Sequence, residues 1–172
     1  MTANSVSSGA DRRTRVVPGW LAPAIVGAVV LVDQLTKAWV VANLTNDPLS
    51  IIGNDVELRV GRNSGVAFSL FTNATVVLAL LAIVMSVILI RAVRRATDLL
   101  TVVALSLVLG GALGNLCDRL FRSPGVLHGG VVDFVRVGSF PTFNVADSAI
   151  TIGALLLVYA VLRGSSASAH RD

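Results

Sequence analysis

Four stretches of this chain carry almost no charge, and the spans built on them, 20–41, 72–90, 99–118 and 145–163, are each long enough to cross a lipid bilayer. The first, Trp20 to Val41, is broken only by Asp33 and Lys37 among charged residues. The second, Asn63 to Ile90, is uncharged throughout and most continuously apolar from Ala74; the third is Leu99 to Cys117, and the fourth lies between Asp147 and Arg163. In lipid a backbone must satisfy its own hydrogen bonds within the segment, which makes each stretch a helix. Composition agrees: 54% of residues are hydrophobic and 14% charged, and the mean hydropathy is +0.79. Soluble domains carry roughly a quarter charged residues, so 14 basic and 10 acidic residues cannot clothe a water-facing surface here. The sequence predicts an all-α polytopic membrane protein whose four transmembrane helices span about 20–41, 72–90, 99–118 and 145–163.

Basic residues set the direction, because Lys and Arg are retained on the cytoplasmic side. Arg12, Arg13 and Arg15 precede the first span, Arg91, Arg94 and Arg95 join the second to the third, and Arg163 and Arg171 follow the fourth. Both termini are therefore expected in the cytoplasm, with segments of roughly 42–72 and 119–144 facing outward. The first span does not read as a cleaved signal peptide, since apolar sequence resumes after Lys37 and no small-residue cleavage site follows. Residues 1–18 and 164–172 are small, polar and expected to be disordered cytoplasmic tails around a membrane domain of 19–163. Leu49 to Ile52, a Gly53-Asn54-Asp55 turn and the alternating Val56 to Val60 read as a hairpin, within a small extracytoplasmic β element over about 45–70. The net charge of +4 does not imply nucleic acid, because the basic residues are scattered and not interleaved with aromatics. The single cysteine, Cys117, excludes an intrachain disulfide and a multi-thiolate metal site, and reads as a small packing residue.

With that orientation, polar groups from all four helices meet in one outer layer. Asp33 and Lys37 lie in the outer half of the first helix, spaced i, i+4 on one side; Asn63 approaches the second; Asn115, Asp118 and Arg119 end the third; Asn144 and Asp147 begin the fourth. A charge at bilayer depth costs at least about 2.5–3.5 kcal/mol, so each group must snorkel to the interface, pair, or belong to a hydrated site. Asp33 with Lys37 can be a simple intrahelical pair. Four carboxylates, Asp33, Asp118, Asp133 and Asp147, against Lys37 and Arg119 still leave two acids without an evident partner. Asp133 sits in Val131-Val132-Asp133-Phe134-Val135, where desolvation raises a carboxyl pKa, and Asp147 opens a helix, where backbone amides favour an anion. Facing each other, the two would share a proton and supply an acid and a base, the means by which an aspartyl protease activates water. His128 and His170 lie in a loop and a tail and complete no serine or cysteine triad. Gly110 and Gly114, with Gly111 beside them, form a small-xxx-small stripe expected to serve close helix packing.

The segments Asp33-Gln34-Leu35-Thr36-Lys37, Asn63-Ser64-Gly65-Val66-Ala67-Phe68, Gly111 to Arg119, Val131-Val132-Asp133-Phe134 and Phe143 to Ser148 resemble, in order, the motifs of lipoprotein signal peptidase, the membrane aspartyl endopeptidase of bacteria also called signal peptidase II. The resemblance covers about Trp20 to Arg163 and departs at Val66, where the family commonly has Ala. It implies removal of signal peptides from diacylglyceryl-modified prolipoproteins, with cleavage just before the lipidated cysteine. It also implies catalysis by Asp133 and Asp147, with Asn63, Asn115, Arg119 and Asn144 orienting substrate or dyad. Asp33, Lys37, Gly111 and Asp118 would be structural support, Asp118 by pairing with Arg119 or a neighbouring helix. No metal or cofactor is expected; the partners would be the prolipoprotein and membrane lipid, the enzyme a monomer in the bacterial inner membrane with its site near the outer face. The rival reading is a small proton-coupled transporter, which predicts polar groups near the midplane and inverted repeats; the polar groups gather at one face instead, and no repeat is visible.

Overall fold

The computed structural model describes residues 17–53, 55–63 and 74–169, with no account of the side chains of 74 and 165–169. Four helices run through it: α1 (Leu21–Asn43), α2 (Ala74–Arg95), α3 (Leu99–Phe121) and α4 (Val145–Ala169). Each is long and apolar enough to span a membrane, α2 having the highest mean hydropathy at 2.9. Exposed side chains such as Leu31, Leu81 and Leu155, 58%, 54% and 65% accessible, are tolerable only against lipid. Pro23 falls in the first turn of α1, where it removes no intrahelical hydrogen bond. Asp98 caps α3, its carboxylate accepting from the Thr101 amide at 2.9 Å.

The third helix is the centre of the bundle. Its apolar window is 44% buried where each of the others is 17%, and it packs against α1, α2 and α4. Glycines permit this closeness: a Cβ on Gly110 would lie 2.8 Å from the Val29 Cβ of α1, and one on Gly111 would collide with the Ala146 carbonyl of α4. α2 touches essentially α3 alone.

Some boundaries differ from the sequence expectation. The second and third helices run on past Ile90 and Asp118 to Arg95 and Phe121, bringing Arg94, Arg95 and Arg119 into last turns, where the helix dipole favours cations. α4 continues through Gly164 to Ala169, into the stretch read as a C-terminal tail, where no proline stands to stop a helix. The N-terminal tail through 16, the motif residues Ser64 to Phe68 and the start of the second span at 72 lie outside the described residues, as do Asn54 and residues 170–172.

Strands β1 (Leu49–Ile52) and β2 (Val56–Asn63) form the hairpin, turning at Gly53 with φ +50°. A third strand, β3 (Val131–Val137), comes from the segment between α3 and α4 and pairs antiparallel with β2, giving the order β1-β2-β3. The sequence reading missed it and placed the β element in 45–70 alone. Buried Phe134 of β3 packs with Val40 and Leu44 at the end of α1, and Leu58 and Val60 close the same cluster, so the sheet is seated on one end of the bundle. After β3 the chain turns at Gly138 and doubles back: the Phe143 carbonyl accepts from the Phe134 and Val135 amides at 3.0 and 2.8 Å. That return delivers Asn144, and with it the start of α4, beside the middle of β3.

Candidate active site

Asn144 is the joint of the site. It is the residue before α4, fully buried, and its Oδ1 accepts from the Asp147 amide at 2.9 Å while its own amide donates to Asp147 Oδ2 at 3.2 Å. This is a reciprocal capping box with Asp in the acidic position, so helix-start chemistry alone fixes the Asp147 side chain. The other end of the Asn144 amide group faces β3: Nδ2 donates to Asp133 Oδ1 at 2.7 Å and lies 3.3 Å from the Val132 carbonyl. One asparagine thus holds a carboxylate on a strand and a carboxylate on a helix.

Asn115 of α3 extends the connection inward. Its Nδ2 donates to Asp147 Oδ1 at 2.7 Å, and its Oδ1 accepts from Asn144 Nδ2 at 3.2 Å and from Lys37 Nζ at 3.0 Å. The Asn63 side chain, from the end of β2, hydrogen-bonds Asp133. Gly61 lies opposite Asp133 in the ladder, and a Cβ there would stand 3.1 Å from the Asp133 carbonyl oxygen. Among the described residues neither Asp133 nor Asp147 has a Lys or Arg within ion-pair distance; their partners are amides. Burial pushes the Asp133 carboxyl up to about 6, and the neighbouring Asp147 charge acts in the same direction, against the hydrogen bonds of Asn63 and Asn144 and the charge of Lys37.

Beneath this pair lies a second layer built around three buried charges, Lys37, Asp33 and Asp118. Lys37 spends its three donors on Asp33 Oδ2 at 2.8 Å, Asp118 Oδ2 at 2.9 Å and Asn115. Asp33 accepts through Oδ1 from the Ala146 amide in the first turn of α4 at 2.9 Å, joining α1 to α4 at an end where a helix favours an anion. Asp118 accepts from Arg122 Nε at 2.6 Å and from the Val132 amide at 3.1 Å, the residue before Asp133. Gln34 closes the layer by donating to the Gly114 carbonyl at 3.0 Å and to Asp118 at 3.3 Å. A Cβ on Gly114 would come within 2.8 Å of Asp33 Oδ2, so the glycine stripe makes room for this layer as well as for helix packing.

Of the two partners expected for Asp118, Arg119 or a neighbouring helix, the second is found, Lys37 of α1 at 2.9 Å, and the first is not. Adjacent residues on a helix point about 100° apart, whereas i and i+4 share a face, and Asp118 accordingly meets Arg122. Arg119 reaches the Asn115 carbonyl at 3.3 Å; among the described residues its buried Nε has no hydrogen-bond partner. Sequence reasoning gave no role to Gln34 or Arg122; Arg122 was legible as the i+4 neighbour of Asp118, whereas Gln34 reaches Gly114 and Asp118 across to α3. Cys117 is half-buried, and His128 is exposed, with Nδ1 2.9 Å from the Val126 carbonyl. Among the described residues no group of three or more His, Cys, Asp or Glu side chains is placed to hold a metal ion. Asp147 opens onto a largely apolar cleft of about 440 Å³, lined by Phe140, Phe143, Ser148, Thr151 and Ile152.

Four helices able to span a membrane, with one carboxylate on the strand β3 and one at the start of α4 both bound by Asn144, define a polytopic membrane protein with a buried polar site at one end of the bundle. Residues 25–163 match the family described as signal peptidase (SPase) II. The lipoprotein signal peptidase of Rhodococcus jostii is 50% identical over 141 residues, covering 81% of this chain and 71% of that protein. That of Streptomyces griseus is 39% identical over 174 residues, covering 99% and 88%. A solved bacterial membrane enzyme, determined by the in meso method at 1.9 Å resolution, superposes with a TM-score of 0.76 at 30% identity over 86% of this chain and 96% of its own. The chain belongs to the signal peptidase II family, and is an aspartic peptidase and a multi-pass protein of the bacterial membrane.

Proposed function

We propose that this protein removes signal peptides from diacylglyceryl-modified prolipoproteins, and that Asp133 and Asp147 together activate the water that cleaves the peptide. The observation that carries this reading is the Asn144 bridge, which binds Asp133 Oδ1 with its side chain and Asp147 through its capping box. Two carboxylates so joined, neither with a Lys or Arg at ion-pair distance among the described residues, cannot both ionise without cost. Asp133, the more buried and raised to about 6, serves as the acid, and Asp147, half-exposed at the start of α4, as the base. Asp147 removes a proton from water, and Asp133 donates its own to the carbonyl oxygen of the scissile bond as the tetrahedral intermediate forms. Asn115 and Asn144 orient Asp147, Asn63 orients Asp133, and Arg119, held against Asn115 on α3, is assigned to the substrate backbone. Asp33, Lys37 and Asp118 act as support, positioning the start of α4 and the Val132 amide.

The substrate class rests on the family, with the apolar cleft beside Asp147 suiting a lipid-bearing peptide. The three Arg clusters support cytoplasmic termini and a site at the outer face; lipid chains of the substrate would stay in the bilayer, and the enzyme acts as a monomer. Purified protein given a diacylglyceryl-modified prolipoprotein and its unmodified precursor is expected to cleave only the former, before the modified cysteine. Equal cleavage of both contradicts the substrate class; solute movement down a proton gradient with the prolipoprotein left intact contradicts the enzymatic reading.

A further inference from the structure

At the end of the molecule away from the carboxylates, α1 and α2 each pack on α3 but hardly on each other, and the gap between them is a groove of about 580 Å³. Its α1 wall is Ala22, Pro23 and Val26, with Gly19 just before the helix, where a Cβ would meet nothing within 4 Å. Its floor is apolar, running along α3 from Val102 to Leu113. At a rise of about 1.5 Å per residue that floor is roughly 16 Å long, close to half of the ~30 Å hydrocarbon core of a bilayer. The groove is therefore one leaflet deep. Arg94 stands in its lining near the end of α2, exposed and, among the described residues, without a carboxylate partner; Arg91 and Arg95 flank it. Among the described residues the acid nearest to it in sequence, Asp98, is committed to the cap of α3.

We infer that this groove binds one anionic phospholipid of the Arg-rich leaflet, an acyl chain lying between α1 and α2 and the phosphate paired with Arg94. An open apolar space of this depth facing lipid fills with hydrocarbon, and a cation at its headgroup end selects the charge of the lipid that fills it. The inference is independent of the reaction proposed above, because the groove is lined by none of the carboxylates.

Native mass spectrometry of the full-length protein released from detergent tests it, with phosphatidylglycerol and phosphatidylcholine supplied at equal concentration. One retained phosphatidylglycerol per protein is expected, favoured about fivefold over phosphatidylcholine, the effect of one basic side chain near a lipid headgroup. Arg94→Gln is expected to abolish the preference, and Ala22→Trp, which fills the groove, to abolish retention of both lipids. Wild-type protein without retained lipid, or a preference unchanged by Arg94→Gln, overturns the proposal. The second result stands even if Ala22→Trp fails to insert.

Discussion

Asn144 concentrates more of the site's geometry than either carboxylate. Its replacement by Ala removes a helix cap, worth about 1 kcal/mol, and leaves Asp133 Oδ1 without its 2.7 Å donor. Misplacing reacting groups by about 1 Å costs about 100-fold, so Asn144→Ala is expected to lower kcat by at least that factor while the protein still inserts, measured on lipidated prolipoprotein. Asp133 also gives the reaction a pH signature. Its carboxyl is raised to about 6 by burial and by Asp147; as pH rises through that value the free enzyme loses the shared proton, and kcat/KM is expected to fall on the alkaline side. The Asn63 hydrogen bond favours the charged form, so Asn63→Ala is expected to move that limb to higher pH. At this scale the sequence was informative wherever a polar residue stood in an apolar window, since lipid makes such residues costly. It misled over Arg119, because residue type was considered there and helical angle was not.

Among the elements, the helices were legible because charge-free length is a direct readout of bilayer thickness. β3 was not, because all four residues from Val131 to Phe134 are buried and the strand shows no polar alternation; its β-branched run between Gly129-Gly130 and Gly138 was the signal available. The return from β3 into α4, which brings Asn144 to Asp133, is a tertiary fact with no local sequence pattern. How α1, α3, α4 and β3 are held together yields two predictions. Lys37→Met leaves Asp33 and Asp118 buried without their shared cation, and removing one partner of a buried pair costs about 3–5 kcal/mol; a matching loss is expected in unfolding by denaturing detergent. Gly111→Val forces α4 away from α3 at Ala146 and Ile150, with an expected cost of about 1–3 kcal/mol and a fall in kcat through displacement of Asp147.

Across the whole molecule, one end of the bundle collects the carboxylates, the amides and the sheet, while the other collects arginines around an apolar groove. This polarity was visible in the sequence once four spans were counted, because an even number of crossings places the Arg clusters on one side and the acids on the other. Green fluorescent protein fused after Asp172 is expected to fluoresce, and alkaline phosphatase at the same point to be inactive; the reverse would place the site on the cytoplasmic face. The central claim is that Asp133 and Asp147 act as one catalytic unit, and the most direct measurement is the cleavage rate of a diacylglyceryl-modified prolipoprotein by Asp133→Asn and Asp147→Asn proteins shown to be inserted and folded. Loss of at least about 1000-fold in each, with no further loss in the double variant, is the predicted result, since members of a catalytic unit are not additive. Wild-type rates in either single variant would contradict it.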